Sequence, residues 1–599
     1  MHSRLAKSPD GDRGARPAGD LLAPAPQSAA ALFAGPKFGL PLVLMVIVAI
    51  LFFVQPPISA IVRLPAEVRP SLSATLDIAR SSFSASISHA IVGSGPATFL
   101  YEYLMHRSIA LNATGFWGVR FSQGFSTIST LLVTLGVIGL LTLLFFFGLF
   151  VFTGFYGVAS LGRRKSPAER VALISFVSFL FLFLSWFFYP ANFTILLFTF
   201  LFAGMTLAAL RSGGAMEGLE FSILKTPQRT FLSSLCIIIL IVGVIVGIYW
   251  QGQKYLASVF HTIGVRSYSK NQNIDAAMKY VGLAVSLDQT RDTYWRTFAQ
   301  LLSLRAQAVL SDKNLETAEL QRRYQAVLQS LIQAGQRATQ VNPRDPLNWR
   351  ELASIYEDNI AIVGGADRFA VENYEKAAAF NPKNPAEYLN IAQAYVRGAD
   401  MEQAQIARAS QGKGTEVKKE DIAKLQEDLR GKLVKALENL QKAIELKSDY
   451  APAYFLSSQV YERQGNRALA IQKTLETKNF NPLDTGVGYQ LGLLYYFDNQ
   501  TENARDEFVR VTGLNPDFAN ARYFLGLSYD RLGNKDKAIE QFERIQKLNP
   551  DNEEVKKILA NLQAGKDALA NIAPPGAAPQ QRIETPEEEK GGESVEKLE

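Results

Sequence analysis

The sequence predicts an all-α protein in two parts, a five-helix transmembrane module followed by an α-solenoid of about seven helical hairpins. Three observations predict it. Five apolar runs in the first 250 residues reach the length of about 17 to 25 residues needed to cross a bilayer. The remainder is polar and charged, with apolar residues at helical spacing. Within it, blocks repeat every 34 residues.

Residues 1–37 are polar and rich in Gly and Pro, and read as a disordered tail. The membrane module spans 38–250, with runs at Phe38–Val54, Ser129–Phe152, Val171–Phe188, Phe193–Leu210 and Phe231–Trp250. Phe38–Val54 is short enough to suggest a signal peptide. Its 37-residue leader is long, however, and "QPPISAIV" offers a poor cleavage site, so it reads as an uncleaved helix.

Charge sets the expected orientation. Arg163, Arg164, Lys165 and Arg170 form the densest basic cluster beside any span and belong in the cytoplasm. Arg211, Lys225 and Arg229 then lie on the same side, as do Arg4, Lys7, Arg13, Arg16 and Lys37 of the tail. Five crossings put the loop 55–128 and everything beyond Trp250 outside the cytoplasm. The five arginines of that loop do not oppose this, because long loops translocate largely regardless of charge.

One cysteine, Cys236, lies in the last span and can form no intrachain disulfide. His2, His89, His106 and His261 have no metal-ligand spacing, so neither a metal site nor a cofactor is expected. The net charge of +6 is small for 599 residues and consists partly of juxtamembrane anchors. It indicates lipid contact and not nucleic acid.

In the second part, 251–565, Tyr461, Tyr495 and Tyr529 recur every 34 residues, as do Ala470, Ala504 and Ala538, and Pro482, Pro516 and Pro550. These blocks, with Leu491-Gly492 and Leu525-Gly526, resemble the tetratricopeptide repeat. Small residues let two antiparallel helices approach. Tyr and Phe (Phe508, Phe542) fill the gap to the next hairpin, and "NP" stops the second helix. Weaker copies include Trp349, Leu352, Ala353 and Tyr356, with Ala370, Tyr374, Ala377 and Pro382. A charged insertion near 400–430 either lengthens two helices or forms an excursion. Residues 566–599 are Pro-rich, then acidic, and read as disordered.

The loop carries "IVGSGPATFLYEYLMHRS" and "NATGFWGVRF", then "LLVTLGVIGLL". In order and spacing these resemble the C-terminal portion of bacterial O-antigen ligase-like and polymerase-like membrane proteins, over roughly Leu64 to Leu210. Such proteins transfer a glycan from a polyprenyl diphosphate carrier, and many relatives also carry tetratricopeptide repeats. The resemblance implies a diphosphate-binding role for Arg107 and Arg120, whose guanidinium groups suit bidentate phosphate contact. It also implies a place in the bacterial inner membrane and the cell envelope. The family's histidine, upstream of the Gly-x-x-Gly formed here by Gly136 and Gly139, falls on Phe125, which cannot accept a proton. The family also has more spans than the five read here.

The bland alternatives are specific. Gly93, Gly95 and Pro96 fit a tight turn, and Trp117, Phe116 and Phe121 fit an interfacial belt. Arg107 and Arg120 fit anchoring or ion pairing with Glu102 nearby, and His106 fits a surface or capping position. Asn112 opens an Asn-Ala-Thr sequon that nothing else in the chain supports.

The expected function is therefore a membrane-anchored scaffold, with no catalytic residue assigned. Its repeat groove binds a protein or peptide outside the cytoplasm, within glycan assembly. The alternative is an O-antigen ligase-like glycosyltransferase, or half of one completed by a second membrane subunit. In the repeat family the first helix of each unit lines the groove. That assigns Phe455, Tyr489 and Tyr523, one per unit, together with Tyr496, Phe497, Arg463 and Arg531.

Overall fold

The computed structural model describes residues 68–161, 167–216, 226–410 and 419–572. Every regular element among them is helical. Three short helices come first: α1 (Leu72–Ala85), α2 (Ile87–Val92) and α3 (Phe99–His106). Four long ones follow: α4 (Thr127–Leu161), α5 (Pro167–Phe188), α6 (Phe193–Ser212) and α7 (Pro227–Asn271). These four are long and apolar enough to cross a membrane. They contain the last four expected spans whole. Phe38–Val54, the cluster Arg163–Lys165 and Lys225 lie outside the described residues.

The chain divides into two compact units, one made of the segment up to Leu72 with Gln123–Phe221, the other of Ser73–Ser122 with Ser222 onward. In the first, α4, α5 and α6 pack through rings: Phe147, Phe150, Phe176, Phe179 and Trp186 are all buried together. Glycine permits the approach. A Cβ at Gly154 would stand 2.5 Å from the Phe176 ring, and one at Gly157 would stand 2.7 Å from Leu210. Between α5 and α6, Thr206 donates to the Ser175 hydroxyl at 3.0 Å, the polar contact that apolar surroundings favour. Gly136 has φ 67° and ψ −172°, which breaks α4 after its first turns. That backbone region is open to glycine almost alone. Phe125 lies beside Arg69, which donates to its carbonyl at 3.0 Å and stands 4.7 Å above its ring. The position to which the resemblance would assign a histidine is thus part of an arginine contact.

In the second unit α7 runs unbroken for 45 residues, about 68 Å at 1.5 Å per residue. Its apolar part continues into a segment that packs on α8 (Ile274–Leu287), with Gly264 against Val281. Helices then pair in sequence: α9 (Asp292–Ser311) with α10 (Thr317–Val341), α11 (Pro346–Asp358) with α12 (Ala366–Phe380), and α13 (Pro385–Ser410) with α14 (Lys419–Leu446). Three regular pairs follow: α15 (Ala451–Arg463) with α16 (Arg467–Phe480), α17 (Thr485–Phe497) with α18 (Thr501–Leu514), and α19 (Ala519–Arg531) with α20 (Lys535–Leu548). A last helix, α21 (Glu553–Gln563), covers α20.

The repeat positions act as their chemistry requires. A Cβ on Gly492 or Gly526 would stand 2.5 or 2.6 Å from the Phe508 or Phe542 ring of the paired helix. Both rings are fully buried. The insertion lengthens α13 to 26 and α14 to 28 residues. Packing continues past 565: Ala568 is buried, and Asn561 donates to the carbonyls of Ala568 and Ala570 at 3.1 and 2.9 Å. This turn satisfies backbone groups after α21 and seals the end of the apolar core.

Candidate functional site

The loop 73–122 folds back on the solenoid of its own unit. Its helices α1–α3 are followed by a 3-10 turn, Ile109–Ala113, capped by the Ser108 hydroxyl, and then by an irregular stretch to Ser122. The surface it meets is one edge of the solenoid, where each second helix turns into the next first helix. Three consecutive junctions take part.

At the α10/α11 junction, Arg120 donates to Asp345 Oδ1 at 2.8 Å, and Arg344 donates to Glu102 Oε1 at 2.7 Å. Asn342 Nδ2 donates to the Tyr101 hydroxyl at 2.7 Å. At the α12/α13 junction, the Lys383 carbonyl accepts from Arg107 Nη2 at 3.0 Å and from Asn112 Nδ2 at 2.8 Å. At the α14/α15 junction, Asn112 Nδ2 also donates to the Leu446 carbonyl at 3.0 Å. There Trp117 meets Tyr450 edge-on at 5.6 Å, and Lys447 lies over its indole. Helix C-termini carry unsatisfied carbonyls and partial negative charge, so arginine and amide donors suit them.

Arg107 is buried. It donates to the Trp117 carbonyl and to Asn112 Oδ1, so one guanidinium joins both halves of the loop to the solenoid. Burial lowers its pKa, partly offset by Tyr103 and Glu387; arginine nevertheless stays protonated. Among the described residues its Nε meets no acceptor. Beside it is a cavity of about 10 Å³ lined by Arg107, Arg120, Arg350 and Asn381. That is room for about one water and not for a diphosphate. Asp345, the N-cap of α11, receives Arg120 and Arg296. Burial alone would raise its pKa, but the two guanidinium groups and the Leu347 amide hold its carboxyl below the usual range. The two arginines are thus brought to one surface, each bonded to the solenoid.

The Glu102 side chain is 3% exposed and gathers Arg344 at 2.7 Å, His106 Nε2 at 3.7 Å and His89 Nδ1 at 3.9 Å. Burial lowers the pKa of His106, with Lys383 and His89 adding to it and Glu102 opposing. Ser82 Oγ lies 3.1 Å from His89 Nδ1. A hydroxyl–imidazole–carboxylate relay needs the hydroxyl and the carboxylate on opposite ring nitrogens. Here both approach Nδ1. Among the described residues no group of His, Cys, Asp or Glu is arranged to hold a metal.

The residues assigned to the groove are less available than their spacing suggests. Phe455, Tyr489 and Tyr496 are buried, Tyr489 at 7% exposure. Tyr489 packs against Phe508, Phe518 and Phe524, which makes its ring part of the core. Tyr523 is half-buried and donates to Glu554 at 2.7 Å. Phe497 is half-buried beside Phe524. The arginines tie first helices together. Arg463 reaches Asp400 of α13 through Nε and Nη2 at 2.7 and 3.0 Å. Arg531 donates to the Tyr496 carbonyl at 3.0 Å and stacks 3.6 Å from its ring. Arg397, at the same place in α13, reaches Asp358 of α11. Sequence reasoning missed Asn112 and Arg344 as interface residues. The available signal was the basic residue after "NP" in two successive junctions, Arg344 and Lys383.

The tetratricopeptide repeat family profile matches residues 489–553. Solved structures similar to this chain include YrrB, described as a TPR protein with an unusual peptide-binding site. It is 18% identical, with 37% of this chain and 95% of that one covered and a TM-score of 0.27. PilF of Pseudomonas aeruginosa is 16% identical over 45% of this chain and 99% of its own, with a TM-score of 0.28. The C-terminal part of a TPR repeat-containing protein of Cytophaga hutchinsonii is 12% identical over 49% and 96%, with a TM-score of 0.33. No curated protein sequence matches the chain. The profile match falls on part of α17 and on α18–α20, within the run of paired helices.

Proposed function

We propose that the chain is a membrane-anchored tetratricopeptide scaffold of the bacterial inner membrane, presenting its array outside the cytoplasm to a protein or peptide, within cell-envelope glycan assembly. In this reading 1–37 is a cytoplasmic tail, 38–250 a five-helix membrane module, and 251–565, with its closing turn, an array of about seven hairpins. The tail beyond is a polar extension. On the first-helix face, Phe497 and Tyr523 are the half-exposed rings a partner would meet.

One observation carries the reading: the loop 73–122 packs on the solenoid within one unit. Segments that pack together share a side of the membrane. Four candidate spans lie between them, an even number, which agrees with a common side. The positive-inside rule then favours the outside for both. The same contacts weigh against the glycosyltransferase alternative. Arg107 and Arg120, the diphosphate candidates, are bonded to carbonyls and Asp345, and Phe125 supplies no base.

A reporter active only outside the cytoplasm tests the topology. Fused after residue 572, or inserted after Ala113, it should be active; fused after Lys165 it should be silent. Opposite signals from the loop and the solenoid would overturn the reading.

A further inference from the structure

The edge that the loop covers does not end where the loop ends. In each junction an apolar residue closes the second helix just before the turn. Under the loop these are Val341, Phe380 and Leu446, and all three are half-buried. At the next three junctions the same position holds Phe480, Leu514 and Leu548, again 34 residues apart, and these are 36%, 43% and 43% exposed. Leu483, in the first of these turns, is 76% exposed.

The charge also shifts along the edge. Three places past each of those apolar residues the chain has Arg344, Lys383 and Asp449 at covered junctions, with Asp449 paired to Lys447, and Leu483, Asp517 and Asp551 at open ones. Asp517 and Asp551 are exposed. Of the cations near these turns, Lys478 and Arg510 are held by Glu507, Arg510 and Arg522 also donate to the Pro482 and Pro516 carbonyls, and Lys547 beside Leu548 is exposed. The open junctions also present the C-terminal ends of α16, α18 and α20, which carry partial negative charge. The exposed carboxylates of Asp517 and Asp551 and these helix ends favour arginine donors beside apolar side chains. The loop itself is bound to its own stretch of edge in that way, by Arg107, Arg120 and Trp117.

We propose that the open edge, built on Phe480, Leu483, Leu514, Leu548, Asp517 and Asp551, is a docking surface for a partner polypeptide segment in which arginines alternate with apolar residues. It would continue the interface made by the loop. This rests on the scaffold reading and names the chemistry of its partner.

The test uses the full chain in phosphatidylcholine nanodiscs, with empty discs subtracted. The probes are a labelled synthetic peptide of alternating arginine and leucine and its glutamate–leucine counterpart, and the readout is fluorescence anisotropy. The arginine peptide should bind at least about tenfold tighter than its counterpart, a difference of about 1.4 kcal/mol. Leu483→Ser with Leu514→Ser, and separately Asp517→Lys with Asp551→Lys, should each weaken it about tenfold. Glu502→Lys with Asp506→Lys, the same charge change on exposed α18 positions, should leave it unchanged. All these side chains are exposed, and unchanged melting checks the fold; if the charge reversal unfolds, the leucine variant decides. Equal loss from both charge reversals would mean only net acidity is read, and the proposal would fail. It would also fail if the edge variants bound as tightly as the parent, or if the edge captured phosphatidylglycerol vesicles instead. None of these failures alters the topology signals, which test the scaffold reading separately.

Discussion

Arg120 donates to Asp345 Oδ1 at 2.8 Å across 225 residues of sequence. Asp345 is at once the N-cap of a repeat helix and the anchor of a loop that precedes α4. One carboxylate thus couples helix initiation to loop docking, and both depend on its charge.

Arg120→Ala should therefore free the loop while leaving the solenoid folded. The lost charged hydrogen bond is worth about 2 kcal/mol. Hydrogen exchange should rise across 107–122 and stay low in α17–α20. The contact also has a pH limit. The Asp345 carboxyl titrates below its unfolded value of about 3.9, so its contribution is complete above that value and is lost as pH falls through the folded pKa. Protection of the loop should hold from pH 7 to 5 and fall below about pH 4. A loop equally protected in the variant would show that Arg120 does not hold it.

Glu351 gives the opposite slope. Glu351 is only half-buried by exposed area, but the protein packed around its carboxyl desolvates it and raises it to about 7, with Gln300 and Arg296 opposing. The folded chain then binds more protons than the unfolded chain between about pH 4.3 and 7, so stability falls as pH rises through that window. Glu351→Gln should flatten this part of the profile and melt higher than the parent at pH 8. An unchanged difference between pH 5 and pH 8 would refute it.

Tyr489→Ala should lower the melting of the C-terminal repeats, because its ring fills space between Phe508, Phe518 and Phe524. Removing a buried ring of this size costs about 3 to 5 kcal/mol. Exchange should increase across α17–α20 and not in α9–α12. A neutral substitution would place the ring on an open groove.

Gly136→Ala should destabilise the unit that contains α4, α5 and α6 by about 1 to 3 kcal/mol, since φ 67° with ψ −172° excludes a Cβ. Gly148→Ala, on the same helix with nothing within 4 Å, should be neutral or slightly stabilising. Equal melting temperatures for the two variants in detergent would contradict the break at Gly136.

By itself the sequence determined the helical class, the apolar runs at 129–152 to 231–250 and the 34-residue register. These follow from local causes: hydrophobic length, helical periodicity, and the glycine and proline positions that let two helices approach and stop. Such signals lie within one hairpin and survive in a linear string. What the loop does was decided only in three dimensions. Arg107 reaches Lys383 across 276 residues, and Asn112 reaches Leu446 across 334. Their acceptors are backbone carbonyls, which every residue has and no sequence pattern marks. The groove shows the same limit. Spacing placed Tyr489 and Tyr523 on one helix face, but how closely the neighbouring first helix packs decided which ring is buried. That distance is set by Phe524 and Phe518 of the next repeat, beyond the reach of any pattern within a single one.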